Sequence, residues 1–172
     1  PIVSSTLNKL PNVHIIDNSG IAERKFNGLF GYAKKNYLGA ITLAPTVMDN
    51  FARGSSADLS DVTLKTSTIK SFAHAFNEFS GKFPKNIDLT SGSNFESLFY
   101  NTNLDNITMD SFVDSTYVAT TRESDRLTMS SMFTTFTGRD ISFDVWGFLV
   151  KKVKLLEKLK SYAYVNLYSM LT

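Results

Sequence analysis

Ile41-Thr42-Leu43 and Val62-Thr63-Leu64 are the first two of six short stretches in which one polar residue lies between two apolar residues. The other four are Ile87-Asp88-Leu89, Ile107-Thr108-Met109, Leu127-Thr128-Met129 and Ile141-Ser142-Phe143. A three-residue strand points its outer two side chains to one face of a sheet and its middle side chain to the other. Each triplet is therefore predicted to be a strand that buries its outer residues and leaves its Thr, Ser or Asp facing water.

The triplets recur at a spacing that is typical of repeat proteins. Their first residues are at positions 41, 62, 87, 107, 127 and 141, so most steps between them are of about 20 to 25 residues. Periods in this range indicate a solenoid, in which each unit is one supersecondary element stacked on the next. The triplets are then expected to lie side by side as a parallel sheet.

Phenylalanine supplies the opposite wall of the predicted core. The chain has 14 Phe residues and a single Trp. Many of the Phe residues are three or four positions apart, as in residues 71–76 (SFAHAF) and 95–99 (FESLF), which suits one or two helical turns. Short helices are marginal on their own, so we expect them to be stabilised by packing their Phe face onto the strands.

Residues 62–76 (VTLKTSTIKSFAHAF) resemble the BspA-type leucine-rich repeat, whose units consist of a strand, a polar turn and an Ala-Phe helical stub. Residues 129–133 (MSSMF) are similar to the Met-Ser-x-Met-Phe element of related bacterial surface-protein repeats. The resemblance covers roughly residues 13–146. It implies an α/β repeat, a leucine-rich-repeat-like solenoid of short parallel strands and short helices.

The chain divides into three predicted segments. Residues 1–12 are predicted to be an N-terminal arm or cap, and residues 13–146 carry the repeats. Residues 147–172 are predicted to be a basic amphipathic helix that caps the solenoid or docks on a neighbour, and Asp144 suits its N-cap position. The apolar residues at helical spacing in and beside this segment are Trp146, Leu149, Val150, Val153, Leu156, Leu159 and Ala163.

The C-terminal segment leaves three interpretations open. Its five Lys and one Glu, with Lys151, Lys152 and Lys158 among them, give a local charge of +4 that suits an acidic membrane surface or nucleic acid. It also suits a cap over the apolar end of the stacked repeats, with its lysines solvated. The third interpretation is docking onto a partner subunit through the apolar stripe and through Tyr162, Tyr164 and Tyr168.

The polar middle residues of the triplets are a second predicted partner-binding surface. Repeat proteins often bind partners on a face that is built by equivalent residues of successive units. Thr also suits exposed strand positions for structural reasons alone, so both interpretations stay open. The residues that stacking would align in this column are Thr42, Thr63, Asp88, Thr108, Thr128 and Ser142.

The composition argues against several classes of function. The formal net charge of +2 gives no overall electrostatic argument for nucleic acid. Without Cys the chain has no disulfide and no cysteine metal site. The only histidines are His14 and His74, no acidic pair or Gly-rich phosphate loop stands out, and no catalytic, cofactor or metal residues are predicted. A signal peptide and an apolar run of about 18 residues are both absent from the sequence, which argues against a membrane span.

Together these features predict a non-enzymatic repeat scaffold that acts through protein–protein contacts. We expect a subunit of a larger assembly, in a phage or other viral particle (a virion) or in the cytoplasm, with other protein subunits or copies of itself as partners. The alternative is a free-standing binding module, adhesin-like, for a host protein or glycan. A subunit is expected to expose apolar residues on the C-terminal segment, whereas a free binder is expected to bury them and display the Thr column.

Overall fold

The structure is a computed structural model of the chain. It describes residues 28–32, 41–45, 47–114, 116–117, 123–134 and 143–171. The predicted N-terminal arm, His14 and Ser142 lie outside these residues. The strands are β1 (Ile41–Leu43), β2 (Val62–Leu64), β3 (Glu123–Thr128) and β4 (Tyr162–Asn166), and the α-helices are α1 (Val145–Phe148) and α2 (Leu155–Ser161).

Strands β1 and β2 are the first two triplets, and they pair in parallel as predicted. Ile41 is opposite Val62, and Thr42 is opposite Thr63. Val62 and Leu64 are buried, whereas Thr63 between them is half-buried, which is the alternation that a strand with one buried face requires. Strands β3 and β4 form a second parallel pair.

The later triplets do not extend the first sheet as predicted, because the steps between units differ in length and the register shifts. Thr63 forms its next parallel bridge with Lys85 rather than with Asp88. The backbone of Asp88 is instead bound by the Thr66 hydroxyl, which donates to its carbonyl at 2.9 Å and accepts from its amide at 2.6 Å. Ile107 and Thr108 lie between the 3-10 helices Leu104–Asn106 and Met109–Ser111, and Met109 is the first residue of the second of these helices. Leu127 and Thr128 belong to the other sheet, within β3.

The Phe-containing segments form β-turns instead of the predicted short helices. In residues 72–79, three overlapping turns are closed by amides that donate to the carbonyl three residues earlier, at 3.1 to 3.2 Å. His74 and Glu78 are the third residues of the first and last of these turns, and both have φ of 55°, as a type II turn requires. A left-handed residue at every fourth position interrupts an α-helix. The spacing of three and four between Phe residues therefore arises here from successive turns.

These turns are stacked, because the amides that do not close a turn donate to the next turn along the chain. Phe72 donates to the carbonyl of Asn94 at 2.8 Å, and Phe76 donates to that of Leu98 at 3.0 Å. The pattern repeats between the described turns with the donors on the earlier turn and the acceptors on the later one. We call them the stacked turns, residues 28–32, 48–55, 72–79, 95–102, 129–134 and 167–171.

A column of Phe rings fills the space enclosed by the stack. Phe99 is fully buried, and its ring lies 5.4 to 6.2 Å from five other Phe rings. Aromatic pairs at these distances contribute beyond the apolar area that they bury. The rings that follow one another from turn to turn are Phe30, Phe51, Phe76, Phe99 and Phe133, and the ring of Phe148 in α1 packs against that of Phe133.

The C-terminal segment is not the single helix predicted for residues 147–172. Asp144 does cap α1, since its Oδ1 accepts from the Gly147 amide at 2.7 Å. The π-helix Leu149–Val153 follows, and Lys154 then breaks the run with left-handed φ and ψ of 60° and 44°. Helix α2 begins after Lys154, and the chain becomes strand β4 at Tyr162.

The leucine-rich-repeat-like solenoid stays a prediction at the level of fold class. In the described residues the observed elements are two short parallel strand pairs, isolated parallel bridges and the stacked turns. Parallel pairing between successive units agrees with stacking of repeats. The predicted helical stubs are replaced by turns.

Replacing the central ring should destabilise the whole stack. We expect Phe99→Ala to lower the free energy of unfolding by about 3 to 5 kcal/mol, because the cavity would border rings from several turns. The matched control is Tyr168→Ala, since Tyr168 is 76% exposed and its loss should change the value by less than about 0.5 kcal/mol. Denaturant unfolding of the two variants and the unchanged chain measures both effects. Equal losses in the two variants would contradict the ring column as the centre of the core.

Candidate interaction surface

The last stacked turn and strand β4 form an edge that no described segment covers. One side of β4 pairs with β3, and the Met129 amide donates to the Asn166 carbonyl at 2.8 Å. Within the described residues, β4 has no second neighbouring strand. We call β4 and residues 167–171 the C-terminal edge.

Two backbone amides of this edge lack hydrogen-bond partners among the described residues. They belong to Leu167 and Leu171. In the preceding turn the corresponding amides are those of Met129 and Phe133, which donate to Asn166 and Met170 at 2.8 and 2.9 Å. The edge therefore presents donors where each earlier turn has completed hydrogen bonds.

The same edge exposes large apolar side chains. Tyr168 is 76% exposed, Tyr164 64% and Leu171 54%. Scattered exposed apolar residues are ordinary, but a run of them on adjacent elements is typical of an interaction site. The other exposed large apolar residues of the C-terminal segment are Trp146, Leu156, Leu159, Val165 and Leu167.

A buried lysine anchors α2, the helix that leads into the edge. Lys158 is fully buried, and its Nζ donates to the carbonyls of Thr90 and Gly92 at 2.5 and 2.6 Å. The ammonium also lies 4.7 Å from the centre of the Tyr117 ring, a cation–π distance. A buried charge is tolerated only when it is hydrogen-bonded and paired with compensating groups, and these carbonyls and rings supply that compensation.

Lys152 forms a second anchor of the same kind. Its side chain is buried, and Nζ donates to the Phe112 carbonyl at 2.8 Å and lies 3.1 Å from Asp114 Oδ1. The expectation that the lysines are merely solvated is therefore wrong for Lys152 and Lys158, because carbonyls at the ends of neighbouring turns need donors. Lys151 is exposed.

The predicted tyrosines separate into two groups. Tyr162 is 6% exposed and lies at the start of β4 opposite Glu123, so its side chain is inside the protein. Tyr164 and Tyr168 lie on the C-terminal edge with most of their surface exposed. The partner-binding prediction is therefore compatible with the positions of Tyr164 and Tyr168, but not with that of Tyr162.

The predicted column of polar residues is not brought together as a ladder. Thr42 and Thr63 are neighbours in register, and Thr108 is exposed. Asp88 is 8% exposed, because its Oδ1 accepts from the Thr90 amide and hydroxyl. Thr128 lies beside Asn94 and Asn166 in the other sheet.

A polar groove of about 700 Å³ is a second concave feature. Lys82 Nζ lies 2.7 Å from Asp58 Oδ2 at its wall. Partial burial raises the pKa of the Asp58 carboxyl, but hydrogen bonds from Lys82 and Ser60 outweigh this and hold the pKa below its ordinary value. The groove is lined by Ser56, Asp58, Ser60, Ser80, Gly81, Lys82, Phe83, Lys85, Asp105, Asn106, Thr108, Asp110 and Ser111.

Two kinds of feature are absent from the described residues. No cluster of three or more His, Asp or Glu side chains is arranged to hold a metal ion there. None of the helices in the described ranges is long and apolar enough to cross a membrane. His74 lies on a turn, where its Nδ1 is 3.3 Å from Asn77 Nδ2.

Comparisons of the chain with protein-family models, with curated proteins and with solved structures found no match. The resemblance to the BspA-type repeat therefore stays a prediction from the residues alone.

The turn at the C-terminal edge could have been predicted from the sequence, but residues 147–172 were interpreted as one helix. Residues 167–171 (LYSML) share with residues 129–133 (MSSMF) the pattern apolar, polar or aromatic, Ser, Met, apolar. Residues 95–99 (FESLF) differ only in having Leu at the fourth position. Aligning these pentamers identifies residues 167–171 as one more turn. The anchoring role of Lys158 has no comparable signal, because it depends on carbonyls 66 and 68 residues away.

Removing the Lys158 ammonium should weaken the attachment of α2. We expect Lys158→Met to lower the free energy of unfolding by about 2 kcal/mol, because two buried carbonyls lose their donor while the side-chain volume is kept. The control is Lys160→Met, an exposed lysine on the same helix. Thermal or denaturant unfolding measures both variants. An unchanged or higher stability of Lys158→Met would show that the anchor is dispensable.

The Asp58–Lys82 pair should contribute a small, pH-dependent stabilisation. Because the pKa of Asp58 is lowered from 3.8, its contribution is present above that value and is lost as the pH falls through the lower pKa of the folded state. We expect Asp58→Asn to cost less than about 1 kcal/mol near neutral pH and the difference from the unchanged chain to vanish in acid. Unfolding at a series of pH values tests this, with Asp110→Asn as the control. A difference that persists unchanged in strong acid would contradict it.

Proposed function

We propose that the protein is a non-enzymatic scaffold, built as a solenoid of repeats, that acts through protein–protein contacts as a subunit of a larger assembly. The observation that supports this most directly is the C-terminal edge, where Tyr164, Tyr168 and Leu171 are each more than half exposed. Exposing apolar area of this kind costs free energy in water, and a partner that covers it recovers that cost.

The organisation of the C-terminal segment supports a docking role over a simple cap. A cap that closes the stack would turn a polar face outward. Helix α2 and β4 instead leave Leu156, Leu159 and Val165 at 40% exposure or more. The anchors Lys152 and Lys158 hold this segment against the earlier turns, so a partner would meet a preformed surface with little ordering cost.

The setting in a phage or other viral particle rests on the sequence argument alone. The proposed biochemical role is narrower than this setting: the chain holds other protein subunits, or copies of itself, in place. No cofactor or metal takes part in the proposed role.

The alternative is a free-standing binding module, and the polar groove favours it. The groove combines hydroxyls, carboxylates and lysines over about 700 Å³, which suits a polar ligand such as a glycan. The Asp58–Lys82 pair already satisfies part of this lining. The C-terminal edge carries the larger exposed apolar surface, and we therefore place the assembly role first.

Native mass measurement tests the assembly role. The full chain should form oligomers on its own or complexes when it is co-expressed with the products of neighbouring genes. Tyr168→Asp should reduce that association at least tenfold, because a charge on the edge would have to be desolvated on docking. Tyr32→Asp is the matched control, since Tyr32 is 62% exposed on the first stacked turn.

Both variants are first compared with the unchanged chain by thermal unfolding, so that a loss of fold is not mistaken for a loss of contact. A stable monomer that stays unassembled with every neighbouring product would refute the assembly role. Association that survives Tyr168→Asp would move the contact away from the C-terminal edge.

A further inference from the structure

Equivalent residues of successive stacked turns can be compared for burial and for backbone hydrogen bonding. Phe72, Phe95 and Met129 occupy equivalent places in three successive turns and are fully buried. Each of their amides donates to the following turn, at 2.7 to 2.8 Å. Leu167 holds the same place in the last turn, but it is 38% exposed and its amide has no partner among the described residues.

Leu171 shows the same contrast at the position of the ring column. Its equivalents Phe76, Phe99 and Phe133 are at most 3% exposed, whereas Leu171 is 54% exposed. The amides of the three Phe residues donate onward to the next turn, at 2.9 to 3.0 Å. Two independent properties, apolar exposure and an amide donor without a partner in the described part of the chain, therefore coincide at both Leu167 and Leu171.

We infer that the C-terminal edge binds a polypeptide segment of a different protein that folds against it as one more stacked turn. This inference rests on the proposed function and names the chemistry of the partner. The segment would present two backbone carbonyls, four residues apart, to the amides of Leu167 and Leu171, and apolar side chains to cover both leucines. Recognition through backbone groups at an open edge is an established mode of peptide binding.

The polarity of the hydrogen bonds excludes the simplest alternative occupant. At Leu167 and Leu171 the edge offers donors, so the same edge of a second copy would bring donors against donors. A two-fold symmetric contact requires a self-complementary surface, which these positions do not provide. The first stacked turn of a second copy is also a poor fit, because Leu29 and Phe30 are 5% and 1% exposed.

A synthetic peptide with the sequence of residues 93–102 (SNFESLFYNT) is the probe, because that segment forms such a turn in this protein. We expect saturating peptide to slow hydrogen exchange of the Leu167 and Leu171 amides in the full chain by about tenfold or more. A peptide of the same composition in scrambled order should leave the exchange unchanged. Equal protection by both peptides, or by neither, would overturn the inference.

N-methylated peptides test the direction of the contact. Methylation of the residues corresponding to Phe95 and Phe99 blocks amides that point away from the edge, so binding should be retained. Methylation at the positions of Leu98 and Tyr100 removes the bonds that close the turn, so binding should be lost. The reverse result would mean that the peptide binds through its own amides and would overturn the inference.

A pair of protein variants separates the backbone from the side chain. Leu167→Pro removes the free amide without breaking a described hydrogen bond, and Leu167→Ala keeps the amide but shortens the side chain. We expect Leu167→Pro to weaken peptide binding about fivefold to tenfold relative to Leu167→Ala, with similar thermal midpoints for both. Equal affinities would exclude the amide from the contact.

The outcomes also separate this inference from the assembly role. Native assembly that is insensitive to the peptide and to Leu167→Pro would preserve the proposed function and refute the added turn. Peptide binding by a chain that never assembles would support the added turn and refute the proposed function.

Discussion

The backbone hydrogen bonds between successive turns are the constraint on which the rest of the structure depends. A turn can donate to its neighbour only if alternate amides point along the stack, and the left-handed residues make this possible. His74 and Glu78 adopt that geometry in one turn, and Ser97 and Asn101 adopt it in the next. Positive φ is unfavourable for residues other than Gly, so the completed ladder and the Phe rings packed behind it must compensate for this strain.

Lysine side chains also donate hydrogen bonds to buried backbone carbonyls, as the amides of the turns do. The carbonyls of Thr90 and Gly92 receive their donors from Lys158, and the carbonyl of Phe112 receives its donor from Lys152. Buried carbonyls without donors would be costly. The π-helix supplies the ammonium of Lys152 and α2 supplies that of Lys158, from 40 or more residues away. The C-terminal segment is thus joined to the stack by polar contacts on one side and leaves its apolar residues on the other.

Part of this arrangement could be predicted from the sequence. The alternation in Val62-Thr63-Leu64 identified a strand, and its similarity to Ile41-Thr42-Leu43 predicted the parallel partner. The spacing of three and four residues led to the wrong prediction of a helix at Phe72 and Phe76, because overlapping β-turns and short helices place apolar residues at the same intervals. It misled again after Trp146, where the left-handed Lys154 and the change to strand at Tyr162 have no strong local signal. The amides of Leu167 and Leu171 lack partners within the described ranges because of the register of the turns, which depends on the whole stack.

The repeated direction of the inter-turn bonds has an electrical consequence. Each N–H···O=C pair along the stack contributes a peptide dipole of the same orientation, as in a helix, where aligned dipoles leave partial positive charge at the end that carries unused N–H groups. Among the described turns, that end is residues 167–171. The stack is therefore a body with a lengthwise dipole, and groups with partial or full negative charge are attracted to one of its ends before any side chain makes contact.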